Sequence, residues 1–242
     1  MGTWRLLHTW EAAPGFNMAL DEALLLARGP APTLRFYTWR PAALSLGYFQ
    51  RHCEVRGIER AEAVVRRLTG GGAIHHAREL TFSIRVPRGH PPYDGTVADS
   101  YARVHRAIAG ALAELGVDAG LRGDAPLASD RHGTGMCFHA STPLDLAWGG
   151  RKGVGSAQRR KDAGILHHGS IKLGATPMEE GAATLVRAGR EVEPEELAGL
   201  LCAAFARSFG LRFERAEPSA AELDAAHERA EFFGSDAFVR RR

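Results

Sequence analysis

The chain is poor in cysteine. Cys53, Cys137 and Cys202 are odd in number, widely spaced and without a CxxC pair. That pattern argues against a disulfide framework and against a structural zinc site. No run approaches the length of a membrane span, and the N-terminal MGTWRLLHTW has no apolar signal-peptide core. A basic stripe with interleaved aromatics is also missing, and the formal net charge is a mild +3, so no nucleic-acid partner is expected. Lysine is scarce: Lys152, Lys161 and Lys172 are the whole set, which makes each of them informative. Repeats and low-complexity segments are absent. These absences leave a soluble, cytoplasmic protein with reduced thiols as the expectation. Its 242 residues, 45% hydrophobic and 24% charged, suit one large domain or two small ones with a sizeable core.

What is present is a mixture of strand and helix patterns. Residues 3–10, 33–39, 43–49, 63–65 and 80–86 read as strands. FNMALDEALLLAR places Met18, Leu20, Leu24 and Leu25 on one helical stripe, with Gly29 and Pro30 as its stop. The clearest helix runs from Val97 to Leu115, with Val97, Tyr101, Val104, Ile108, Leu112 and Leu115 on one face. A short strand is expected over 117–121. Strands at 144–148 and 152–157 are joined by a Gly149-Gly150 hairpin turn, and 165–173 adds another. Beyond about residue 176 the pattern is helical, over 195–209 and 220–232, with a frayed tail at Arg240 to Arg242. Without strict βαβ alternation, the fold class is α+β with a mostly antiparallel or mixed sheet.

Three stretches carry chemistry. RRLTGGGAIHH (66–76) has three contiguous glycines between two strand patterns. Its spacing fits neither the Walker loop nor the GxGxxG fingerprint. Three glycines strip the side chains from one patch of backbone, so a ligand can lie against the peptide plane; a plain glycine turn is the alternative. Cys137 lies in GMCFHAS, and a lone cysteine is often just a small buried hydrophobe. Lys152 sits on a strand pattern beside Gly153 and Gly155, which leave room around it. An ammonium near a thiol stabilises the thiolate and can hold a thioester carbonyl as charge develops. Spacing alone does not bring the two together, and a solvated lysine is the competing reading. The pairs His75-His76 and His167-His168 fall on strands, where neighbours face opposite sides, so one of each can face a given site. Hydrogen bonding suits them better than zinc, because no motif supplies a third ligand.

RRLTGGGAIHH, GRKGVGSAQ (150–158) and ILHHGSI (165–171) together resemble the lipoate-protein ligase and octanoyltransferase family, which shares its catalytic domain with biotin-protein ligases. FNMALDEALL (16–25) and LRFYTWRPAALSLGYFQ (34–50) extend the resemblance, which covers residues from about 4 to 175. It implies one biotin/lipoate protein ligase-type catalytic domain over 1–242, with a large, mainly antiparallel sheet curled around an acyl tunnel and a mainly helical segment from about 176. The Cys137-Phe138 pair, with Lys152 following, is similar to the LipM-type octanoyltransferase branch. Carried across, Cys137 is the nucleophile and Lys152 its activator. Arg67, Gly70, Gly71, Gly72, Ala73, His76, His168 and Gly169 then surround the acyl chain. The implied donor is octanoyl-acyl carrier protein. The implied acceptor is a lipoyl domain, such as glycine cleavage H protein or an E2 subunit. Neither cofactor nor metal is implied, and no nucleic-acid or membrane partner. Octanoyl amidotransfer between lipoyl-bearing proteins, an ATP-dependent lipoate ligase and a non-catalytic acyl-binding module are the alternatives. Two departures from the family pattern are His167 before His168-Gly169-Ser170, and HASTPLDL after Cys137.

Overall fold

A computed structural model describes residues 2–27, 29 and 31–241. In chain order it contains β1 (Thr3–Ala12), α1 (Pro14–Leu26), β2 (Thr33–Trp39), β3 (Ala43–Leu46), β4 (Ala63–Arg66), β5 (Ile74–His76) and β6 (Glu79–Val86). Then come α2 (Val97–Glu114), β7 (Gly120–Leu121), β8 (Leu146–Trp148), β9 (Arg151–Lys161), β10 (Gly164–Lys172), α3 (Pro194–Phe209), β11 (Arg212–Arg215), α4 (Ala220–Gly234) and α5 (Asp236–Val239). The expected stop at Pro30 and the Arg242 end of the tail lie outside the described residues.

Local chemistry explains the helices. Pro14 opens α1, where its missing N–H costs nothing. Thr96 caps α2 and Asp99 answers it in a capping box; Ser219 and Glu222 do the same for α4. Val97, expected on the apolar stripe of α2, is exposed at the first position of the helix. Gly149 and Gly150 both have positive φ, as a two-residue turn that matches strand twist requires.

Eight strands form one sheet in the order β11-β1-β2-β6-β10-β9-β8-β7. Pairing is parallel along β11-β1-β2 and antiparallel from β2 onwards. The expected α+β class with a mainly antiparallel sheet agrees with this. Three features were not anticipated. A second sheet, β4-β3-β5, stands apart from the first. Strand β11 lies inside the stretch read as helical, and no α-helix occurs between 176 and 193, so the helices begin at Pro194 and not near 176. The strand over 117–121 shortens to Gly120–Leu121.

The large sheet is covered on both faces, so β6 and β10 are buried throughout. Alternation sorts their side chains. Phe82, Ile84 and Ile171 pack with Val104, Ile108, Leu201 and Phe205 of α2 and α3. On the other face Leu166 packs with Met18, Leu20 and Leu24 of α1 and with Phe233 of α4. The small sheet lies on this second face, and the space between the two sheets becomes a cavity. No described helix is long and apolar enough to cross a membrane.

Candidate active site

Strand β4 ends at Arg66, and Arg66 and the following Arg67 go to different places. Arg66 donates to the carbonyls of Gly47 and Gln50 at 2.6 and 2.7 Å, and to Phe238 at 2.9 Å, which ties down the C-terminal helix. Arg67 enters the glycine loop. Its guanidinium donates to the carbonyls of Gly70 and Gly72, each at 2.7 Å, and to Ser45 O at 2.8 Å. Burial lowers its pKa to about 10, which leaves it charged at neutral pH. Arg67 is thus the internal clamp of the loop. Gly71 has φ +92°, a conformation that L side chains rarely adopt.

The loop also seats the cysteine. Ala73 N donates to Gly135 O at 2.8 Å, and Cys137 N donates to Ala73 O at 2.7 Å. A Cβ on Gly72 would lie 2.8 Å from Gly135 O and 2.9 Å from Cys137 N, so the approach requires glycine. Gly72 and Ala73, expected on the acyl wall, do not line the cavity; they hold the turn that carries Cys137. Arg67, Gly70, Gly71, His76, His168 and Gly169 do line it, together with Cys137.

Cys137 begins a single 3-10 turn and is half-buried. Lys152, from β9, is buried and places Nζ 3.4 Å from Sγ. The same ammonium donates to Cys137 O at 3.0 Å and Ala140 O at 3.1 Å, and pairs with Asp145 Oδ2 at 2.9 Å. The expected room comes from Gly155, where a Cβ would lie 2.8 Å from Lys152 Cε and 3.4 Å from Sγ. Burial pulls the Lys152 pKa down, but the charges of Cys137 and Asp145 outweigh it and the net shift is upward. Lys152 therefore meets the sulfur as a cation. Asp145 was not anticipated. Thr142 N donates to its Oδ2 at 2.7 Å, a Thr-x-x-Asp turn just before strand β8 that was the signal available in the sequence.

In this structure the cavity is narrow, with a volume of about 30 Å³. Many of its lining residues are polar, yet their polar atoms are engaged elsewhere. Tyr37 donates to Asp21 at 3.1 Å, and Trp39 Nε1 donates to Thr81 at 2.8 Å. His168 pairs with Thr69 at 2.5 Å. His76 Nδ1 faces Glu79 at 2.5 Å and must donate, so Nε2 accepts from Ser45 Oγ at 2.7 Å. Trp39 stacks on the His76 ring with centroids 3.9 Å apart. What remains for a ligand is largely carbon. Burial pushes the His76 pKa down to about 4 despite the pull of Glu79. Burial alone would raise Glu79, but Lys172 and His76 hold it well below the carboxylate range. Lys172 bridges Glu79 and Glu179, each at 2.6 Å. His167 points to the other face of the sheet, to Ser156 and Tyr93, so only one histidine of its pair reaches the cavity. Among the described residues, no group of three or more His, Cys, Asp or Glu could hold a metal ion.

Residues 13–190 match the family model of the lipoyl protein ligase A/B catalytic domain. An octanoyltransferase LipM of Moorella thermoacetica is 43% identical over 178 residues, and the match spans 71% of this chain and 65% of that protein. An octanoyltransferase LipM of Kyrpidia tusciae is 37% identical over 262 residues, with 94% of this chain and 95% of the relative covered. Among solved structures, lipoate-protein ligase A bound with ATP superposes with a TM-score of 0.78 at 22% identity, covering 99% of this chain and 98% of that one. A bi-partite lipoate protein ligase of Thermoplasma acidophilum, solved in work on it and its E2 lipoyl domain, gives 0.77 at 20%, covering 99% and 97%. These two share the fold. With the family model spanning most of the chain and a full-length relative in register, the protein belongs to the lipoyl protein ligase A/B catalytic domain family.

Proposed function

We propose that the protein moves an octanoyl group from a carrier-bound thioester, through Cys137, to the acceptor lysine of a lipoyl domain. The observation that carries this reading is the Lys152 ammonium 3.4 Å from the Cys137 sulfur, at the wall of a carbon-lined cavity. The octanoyltransferase relatives support it. In the first step Cys137 Sγ attacks the donor's thioester carbonyl, the donor thiol leaves with a proton, and the acyl group stays on sulfur. The Lys152 cation balances negative charge on sulfur before attack and on the leaving group after it. Exchange of one thioester for another is nearly even in free energy, so ATP is not needed. In the second step the neutral acceptor amine attacks the Cys137 thioester, an amide forms and the thiol is restored. Each methylene taken into the cavity contributes about 0.8 kcal/mol, and enclosure keeps water from the thioester. All three cysteines are free, which suits a reducing compartment, and we place the reaction in the cytoplasm.

The test is mass spectrometry after mixing with octanoyl-acyl carrier protein in the absence of ATP. An octanoyl adduct on Cys137 that hydroxylamine removes is expected, followed by transfer to a lipoyl domain. An adduct that persists in Cys137→Ala, or strict dependence on ATP, refutes the mechanism. Octanoylated lipoyl domain offered as the donor separates amidotransfer from use of a carrier.

A further inference from the structure

The acyl cavity adjoins two open clefts of opposite character. One shares Trp39 and His76 with it and carries Glu11, Glu79, Glu191, Glu193 and Glu195 against a single arginine, Arg78. The other shares Gly71, continues past Gly72 and Met136, and carries Arg122, Arg131, His132 and His139. Met136 immediately precedes the nucleophile. With the acyl tail in the cavity, the leaving thiol and the arm behind it extend from Cys137 toward this second cleft. An acyl carrier's thiol arm is a pantetheine chain joined through a phosphodiester. The acidic cleft repels that group and the basic cleft attracts it.

Two buried donors in the basic cleft lack partners among the described residues: His139 Nε2 and Arg122 Nε. His139 is only 7% exposed. Its Nδ1 lies 3.0 Å from Thr134 Oγ1. With Thr134 donating there, the ring proton sits on Nε2, ready for an acceptor. A buried donor left unmade is costly, so such a pair signals a group that arrives from outside. The two carboxylates of the cleft are already engaged. Asp130 accepts from Ser141 Oγ at 2.7 Å and Leu127 N at 2.9 Å and faces Arg122 at 3.8 Å; Glu54 accepts from Arg51 N at 3.2 Å.

We infer that Arg122, Arg131 and His139 form a site for the phosphodiester of the donor's thiol arm. The inference rests on the transfer reading of Cys137. It adds a specificity element: the enzyme distinguishes donors by a charge remote from the thioester, and so rejects simple acyl thioesters.

The test compares octanoyl-pantetheine with octanoyl-phosphopantetheine as donors for Cys137 acylation. A preference of about tenfold or more in kcat/KM for the phosphorylated donor is expected, the scale of a hydrogen bond to a charged group. In Arg122→Gln the ratio falls toward one, and Arg122→Lys restores part of it. Arg131→Gln, on an exposed side chain, serves as a second variant if Arg122→Gln does not fold. Saturating inorganic phosphate is expected to erase the preference by occupying the same residues. Equal rates with both donors, or a preference that survives the substitutions or the phosphate, overturn the site and leave the transfer reading intact. Failure of both donors to acylate Cys137 overturns both.

Discussion

Two buried lysines stand beside the same phenylalanine and do different work. Lys152 Nζ lies 5.5 Å from the centre of the Phe138 ring and Lys172 Nζ lies 4.6 Å from it. Both are buried and both are ion-paired. Lys172 is held by two carboxylates and the His75 carbonyl, so its charge is more than cancelled by its neighbours. Lys152 faces one carboxylate and two carbonyls, and its remaining neighbour is a sulfur that can gain or lose charge. A cation surrounded by fixed anions is a structural clasp. A cation with one neighbour of variable charge can serve a reaction.

The sharpest way to break this comparison is to remove each ammonium in turn. Lys152→Met is expected to slow acylation of Cys137 by a hundredfold or more, on the order of the effects of positioned proton and charge donors. Stopped-flow or quenched mass measurement with a thioester donor reads this directly. If Lys172→Met slows the folded protein as much, the division between the two sites fails.

Lys172→Met should instead appear in stability. It leaves Glu79 and Glu179 facing each other in the core, and loss of one partner of a buried pair costs about 3–5 kcal/mol. Urea unfolding measures it. Lys172→Met combined with Glu179→Gln should recover part of the loss, since a single carboxylate then remains beside His76 and Ser170.

The smallest effect sharpens the contrast through pH. His76 titrates near 4 in the fold and near its ordinary 6.5 when unfolded. Between those values the unfolded chain binds a proton that the native protein does not, so stability is present above pH 6.5 and is lost as pH falls toward 4. Glu79, held low, acts in the same direction below the carboxylate range, whereas Glu179, pushed up by burial, acts in the opposite one. Melting temperature against pH should therefore slope more gently in His76→Gln than in the unaltered protein. An unchanged slope would place the acid sensitivity elsewhere, for instance on His105 of α2 and His167 of β10, which burial also lowers.

The legible part of the fold was its local part. Helices α1 to α4 announced themselves through period and caps, and the Gly149-Gly150 hairpin through its turn chemistry. Strand β11 did not, because RFER lies mostly exposed at the sheet edge, where parallel pairing with β1 and not an apolar pattern defines it. The small sheet was hidden for a related reason: β3 pairs with β4 in parallel across an irregular connection. Within the site, Cys137, Lys152 and the glycine loop carried their own signals. Asp145 and the Glu79–Lys172–Glu179 cluster did not, since buried charges find one another only once distant strands are in register. Arg67 stands beside the loop in the sequence, yet its engagement with the loop's own carbonyls follows from geometry that no spacing encodes.

The stitch between Ala73 and the Gly135–Cys137 segment has a further consequence. Gln50 Nε2 also donates to Gly135 O, at 2.7 Å, so the Cys137 turn is fastened from two sides just after the long polar loop ends. Those bonds act as a surveyor's benchmark: the sulfur is referenced to the glycine loop and not to the chain that leads up to it. The loop between Arg122 and Gly133 is pinned to the other half of the site, with Ser129 Oγ accepting from Lys152 N at 3.0 Å and Arg131 N donating to His139 O at 2.9 Å. The spacing of sulfur and ammonium is therefore set by two loops at once, one fastened to each.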